Sequence, residues 1–135
     1  ELQTLMEATE QSFYKGMLQA RVGNRISDIS HAVEEYIKPF GYGIVRDFTG
    51  HGVGFELHED PAIPNYGKPG RGVRIQEGMT LAIEPMITLG SGDVEILSDG
   101  WTTVTRDGSY AAHYENTVAV VDGSPVILTA PDVSI

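Results

Sequence analysis

The sequence predicts an α+β fold: two helices packed on a curved, largely antiparallel sheet. Apolar residues recur at helical spacing as far as Phe40 and at strand spacing after Gly43. Clusters of Gly, Pro and Asp punctuate the second part at lengths that suit antiparallel connections, as in Pro64-Asn65-Tyr66-Gly67, Gly90-Ser91-Gly92-Asp93 and Ser98-Asp99-Gly100. A chain of 135 residues with 41% hydrophobic content can bury one core, so residues 1–135 read as a single domain. In order, Leu2, Leu5, Met6, Phe13, Met17 and Leu18 predict a helix over residues 2–21, closed in left-handed conformation by Val22-Gly23-Asn24. Ser27 is placed to cap a second helix with the stripe Ile29, Val33, Tyr36, Ile37 and Phe40, stopped near Pro39 and Gly41. Strands are expected over residues 43–48, 80–87, 94–97, 101–105, 110–121 and 126–128.

Nineteen acidic against nine basic side chains give a net charge of −10, which repels nucleic acid and anionic membranes and favours cations. No apolar run approaches the roughly 18 residues of a spanning helix, and the start lacks a signal-peptide layout. The absence of Cys removes disulfides and thiolate zinc clusters and fits a reducing compartment, with the cytoplasm as the default. Glu1 opens directly into a helical pattern without Met, so it reads as a cleavage or cloning boundary instead of a natural start.

Two carboxylates interrupt apolar runs: Glu84 in Leu81-Ala82-Ile83-Glu84-Pro85-Met86 and Glu115 in Ala111-Ala112-His113-Tyr114-Glu115-Asn116-Thr117-Val118. An ionised side chain is costly to bury there without a compensating charge. Alternation places Glu115 on one strand face with His113, Thr117 and Ala119, and Tyr114, Val118 and Val120 on the other. One isolated Glu more often faces solvent or pairs with a basic residue, but two of them and a histidine loop point to a divalent first-row metal. That loop is Gly50-His51-Gly52-Val53-Gly54-Phe55-Glu56-Leu57-His58-Glu59-Asp60-Pro61, whose glycines permit unusual backbone angles and close approach of a ligand. His58 follows His51 by seven residues, unlike the i, i+4 pair of helical zinc sites, which suits a hydrogen bond to a substrate carbonyl or oxyanion, or simply a turn cap. Met6, Met17, Met79 and Met86 read as core filler, and Lys68, Arg71 and Arg74 as a solvated loop.

Gly50-His51-Gly52-Val53-Gly54 with His58-Glu59-Asp60-Pro61, then Glu77-Gly78-Met79-Thr80-Leu81-Ala82-Ile83-Glu84-Pro85-Met86, then His113-Tyr114-Glu115-Asn116-Thr117, resemble the bacterial type I methionine aminopeptidase family in order and spacing. The first block alone also fits the Xaa-Pro aminopeptidases and prolidases of the same superfamily. The resemblance implies a pita-bread fold and removal of the initiator methionine from nascent proteins, by water or hydroxide activated between two divalent ions of the Co, Mn, Fe or Zn class. By position it implies that His51 and Glu84 are ligands of one ion, with Glu84 also the proton shuttle. Glu115 matches the carboxylate bridging both ions, and His58 the histidine that contacts substrate. Leu57 and Trp101 resemble walls of the methionine pocket, Leu57 standing where relatives commonly have Phe. His113, where many relatives have Gln, would lie just behind the ligands.

The family also needs two Asp ligands, supplied by a half that would precede Glu1, and Asp28 and Asp47 lie in the wrong contexts to replace them. The chain thus resembles the C-terminal portion of such a catalytic domain. Alone it is expected to bind at most one ion weakly, to catalyse poorly and to expose apolar surface that favours the missing half or a second copy as partner. A non-catalytic pita-bread peptide binder is the second class of reading, and joint retention of His51, Glu84 and Glu115 speaks against it.

Overall fold

The computed structural model describes residues 1–129. The elements are α1 (Leu2–Met17), α2 (Ile26–Ile37), a 3₁₀ turn (Lys38–Phe40) and ten strands. The strands are β1 (Gly43–Ile44), β2 (Gly50–Gly52), β3 (Glu59–Ile63), β4 (Thr80–Ile83), β5 (Met86–Thr88), β6 (Val94–Ile96), β7 (Thr103–Thr105), β8 (Ala111–His113), β9 (Asn116–Val121) and β10 (Ser124–Ile127).

Helix α1 buries Leu5, Ala8, Thr9, Ser12, Phe13 and Gly16, a continuous stripe at helical spacing. The Thr9 and Ser12 hydroxyls stay satisfied inside it by donating to the Leu5 and Thr9 carbonyls, each at 2.7 Å. Gly16 marks the tightest approach to α2, since a Cβ there would lie 2.7 Å from Val33 Cγ2. The helix stops at Met17, short of the expected residue 21, because the Gln19 and Ala20 amides turn back to the Gly16 and Met17 carbonyls and drop Ala20 into the core. The cap of α2 also differs from expectation. Asp28 accepts the Arg25 amide at 2.7 Å, whereas Ser27 sits inside the first turn and accepts the Arg71 amide at 2.6 Å. The helix ends at Ile37, so Phe40, expected on its stripe, falls in the 3₁₀ turn and is exposed, followed by Gly41 at φ 73°.

Every ladder is antiparallel. A five-stranded sheet has the order β10-β9-β4-β2-β3, a three-stranded sheet the order β1-β5-β8, and β6 pairs with β7 as a separate hairpin. Phe13, Ile26, Ile29, Ile63, Ile75, Leu81, Ile83, Val118 and Val120 pack together beneath the five-stranded sheet. Leu5, Ala8, Ile37 and Ile87 form a second cluster against the three-stranded one. Helix α1 contributes to both clusters, so it spans the seam between the sheets. Met6, by contrast with the other methionines, is 61% exposed and fills no core.

Three strand expectations need correction. The run 43–48 keeps ladder pairing only at Gly43–Ile44. Each of the runs 80–87 and 110–121 is two strands: Ile83 pairs with Asn116 in the larger sheet and Met86 with His113 in the smaller, leaving Glu84-Pro85 and Tyr114-Glu115 facing each other in a shared break. Pro85 has no amide to donate to a ladder, which accounts for the interruption. Finally, β2 and β3 are strands where the sequence reads as a loop. Gly and the Glu-Asp-Pro triplet are poor strand formers, and β3 escapes the penalty for Pro61 by being an edge strand.

Candidate metal centre

His51 is the middle residue of β2, paired to Ala82 on one side and Ala62 on the other. Its flanking glycines have negative φ, so unusual backbone angles are not their purpose. They let three strands approach: a Cβ on Gly50 would overlap the Ala82 carbonyl, and one on Gly52 the Asp60 carbonyl. A register shift between His51 and Gly52 then releases residues 53–58 from the ladder. This excursion is tied down by the Val53 amide, which donates to the Thr80 carbonyl at 2.9 Å, and by Glu59, whose carboxylate accepts the Glu56 amide at 3.1 Å and occupies the space beside Gly54.

The break between sheets positions both carboxylates. Glu84 follows β4 directly, its carbonyl accepting from the buried Asn65 amide at 3.0 Å. Across the break the Tyr114 amide donates to the Pro85 carbonyl at 3.1 Å. The Tyr114 ring is held by α1, 5.3 Å from Phe13, with its hydroxyl 3.3 Å from that of Tyr14 and accepting from Asn116 at 3.1 Å. Glu115, the next residue, is thereby turned away from the core, as alternation along the strand requires.

One donor atom each from His51, Glu84 and Glu115 lies within 4.8 Å of the others. His51 Nδ1 is 2.9 Å from the Gly52 carbonyl, which holds the proton on Nδ1 and leaves Nε2 facing Glu84 Oε2 at 2.7 Å. His113 Nε2 stands 3.6 Å from Glu84 Oε1 and 3.7 Å from Glu115 Oε1. The His58 ring lies 4.1 Å from that of His51. Burial, then the Glu115 carboxylate, raises the pKa of Glu84 above its ordinary 4.5, with His51, His113 and His58 pulling the other way. Two carboxylates and an imidazole nitrogen, with the carboxylates repelling one another, are a donor set that a divalent first-row ion fits and relieves.

Five of the seven residues singled out from sequence thus converge: His51, His58, Glu84, His113 and Glu115. Leu57 and Trp101 are not enclosed. They are 74% and 80% exposed, and Phe55 on the same excursion is fully exposed. Their expected desolvation is not met because no described residue covers them. The Trp101 backbone is nonetheless fixed, with Asp99 accepting the Trp101 amide at 3.0 Å and the Thr102 amide at 2.8 Å. Sequence reasoning missed the supporting shell: Asn65 read as turn punctuation, Glu59 received no role within its motif, and Tyr14 was not singled out. Asp28 is occupied by helix capping, consistent with leaving it out of the metal set. Among the described residues no helix is long and apolar enough to cross a membrane.

Comparison with known proteins gives a consistent picture. The family model described as metallopeptidase family M24 matches residues 1–122. The methionine aminopeptidase of Borreliella burgdorferi is 62% identical over 126 residues, covering 93% of this chain and 50% of that protein. That of Clostridium acetobutylicum is 57% identical over 129 residues, covering 96% and 52%. The crystal structure of methionine aminopeptidase from Rickettsia prowazekii superposes with a TM-score of 0.91 at 38% identity, covering 93% of this chain and 51% of that one. The chain therefore has the pita-bread fold and spans about half the length of the curated relatives it matches.

Proposed function

The chain belongs to metallopeptidase family M24, and from that premise we propose that it is the metal-bearing, C-terminal portion of a cytoplasmic methionyl aminopeptidase acting on the N termini of nascent proteins. The observation that carries this reading is the convergence of His51, Glu84 and Glu115 at the break between the two sheets.

A bound divalent ion lowers the pKa of water and polarises the scissile carbonyl. The chain's own side chains do the rest. His51 offers Nε2 as a donor, with its tautomer set by the Gly52 carbonyl. Glu84 would be a donor and the proton carrier to the leaving amine, its two oxygens facing His51 and His113. Glu115 would be the second carboxylate donor, shared between ions where two are held. His58, exposed and with its ring tilted against that of His51, hydrogen-bonds the substrate carbonyl. Leu57 and Trp101 supply apolar wall for the methionine side chain once further residues cover them, and their exposure here supports a pocket completed from outside this chain. The missing Asp ligands come from the N-terminal half of the relatives' length, so the chain alone binds at most one ion and turns over poorly. The prolidase-type reading is not favoured, since the relatives of highest identity above are methionine aminopeptidases. The binder reading is opposed by the intact donor set.

The test is release of free methionine from a Met-initiated tripeptide, by the chain alone and by the chain supplied with the N-terminal half of a full-length relative. Release should require a divalent ion, rise sharply with the added half, and exceed cleavage of an Xaa-Pro peptide. Ordinary enzyme rates from the chain alone, or preference for the Xaa-Pro peptide, would sink it.

A further inference from the structure

We propose that His113 is a fourth donor to the ion held by His51, Glu84 and Glu115, so that two imidazoles and two carboxylates of this chain make a one-ion site by themselves. The inference rests on the metal reading above and deepens it.

The two oxygens of Glu84 face different histidines. Oε2 makes a 2.7 Å contact with His51 Nε2, a hydrogen-bond distance. Oε1 faces His113 Nε2 at 3.6 Å, and the same nitrogen is 3.7 Å from Glu115 Oε1. Both separations are too long for hydrogen bonds. They are close to the edge of a tetrahedron of donors around an ion at about 2.1 Å, which is about 3.4 Å. His113 therefore stands off from one oxygen of each carboxylate by a separation close to that of two donors on one cation, at the margin of the His51, Glu84 and Glu115 group.

The backbone explains why it is there. His113 is the last residue of β8, paired with Met86 of β5, so the ladder ends two residues short of Glu115 on one strand and two residues past Glu84 on the other. Tyr114, packed on Phe13 of α1, separates His113 from Glu115, both of which are exposed. The His113 side chain is 43% exposed, which leaves the imidazole room to turn in toward the group formed by His51, Glu84 and Glu115.

A set of two nitrogens and two oxygens favours zinc or cobalt over manganese more strongly than one nitrogen and two oxygens does. That difference supplies a readout independent of catalysis. Long-range ¹H–¹⁵N spectra of the histidine rings should show the Nε2 resonances of both His51 and His113 moving on addition of one equivalent of Zn²⁺. By calorimetry, His113→Gln should weaken Zn²⁺ binding by more than about 100-fold, beyond the range of an outer-shell partner, while changing Mn²⁺ binding less than about threefold. The wild-type spectra do not depend on how the variant folds. If the His51 resonance moves, the His113 resonance does not, and His113→Gln binds Zn²⁺ as tightly as wild type, this inference fails while the metal reading stands. If the wild-type chain binds no divalent ion, both fall.

Discussion

Phe13 and Trp101 are both large aromatics, and the structure treats them oppositely. Phe13 is wholly buried between α1 and the five-stranded sheet, whereas Trp101 is 80% exposed at the tip of the β6–β7 hairpin. The same contrast separates the two regions they belong to. On the helical side, Leu5, Phe13, Ile29, Val33 and Ile37 of the two apolar stripes are fully buried, while Leu2, Met6, Leu18 and Phe40 are exposed. On the rim formed by residues 53–58 and the hairpin, Phe55, Leu57, Ile96, Leu97 and Trp101 all face solvent. An apolar residue there adds little to the stability of this chain. The two carboxylates lie at the seam between the sheets, held by the buried side and open on the other.

Glu84 gives the largest expected effect. Glu84→Gln should weaken divalent-metal binding by more than about 100-fold, beyond the range of an outer-shell partner. It should also change how stability depends on pH. A carboxyl whose folded pKa is raised contributes stability that is fully present below its unfolded value and is lost as pH rises through the folded value. Urea melts of the metal-free wild type should therefore weaken as pH rises from 4.5 through the raised value, and those of Glu84→Gln should lack that component. Equal slopes in the two proteins would contradict this placement of Glu84.

Phe13→Ala tests the buried region directly and should cost about 3–5 kcal/mol in chemical denaturation. Trp101→Ala is its counterpart on the rim and should stay within about 0.5 kcal/mol of wild type. A loss of several kcal/mol at Trp101 would erase the distinction between the regions. Between these extremes, Gly52→Ala should cost about 1–3 kcal/mol, because its Cβ would displace the Asp60 carbonyl on the adjacent strand. Hydrogen exchange should show the loss concentrated in β2 and β3.

The smallest effect is local. Asp107 accepts from the Ser91 and Ser109 amides and from the Ser109 hydroxyl, contacts that hold its carboxyl at about 2, below the ordinary 3.8. A depressed carboxyl contributes stability above its unfolded value and loses it as pH falls through the folded one. Amide protection at Ser91 and Ser109 should thus fade between pH 3.8 and about 2, and Asp107→Asn should show that protection weakened already at neutral pH.

Much of the candidate site was legible in the sequence. His51, Glu84 and Glu115 stand out because each is a polar interruption in an apolar or glycine-rich run, and their residue types are those of metal chemistry. The shell behind them was not legible. Asn65 and Tyr114 act through contacts 19 and 100 residues away in sequence, to the Glu84 carbonyl and the Tyr14 hydroxyl, and nothing local marks such partners. The status of Leu57 and Trp101 was also out of reach, because exposure depends on what covers a side chain and not on what it is.

The sequence by itself determined the two helices, the change to strands after Gly43 and which residues are candidate donors, since periodicity and residue chemistry are local properties. Only the tertiary structure decided that Glu84 and Glu115 occupy one shared break instead of two continuous strands. It alone made β2 a central strand whose glycines serve close packing, and brought His113 within 3.7 Å of both carboxylates. Those outcomes depend on pairing register and on α1 bridging two sheets, which are set by contacts between residues far apart in the chain.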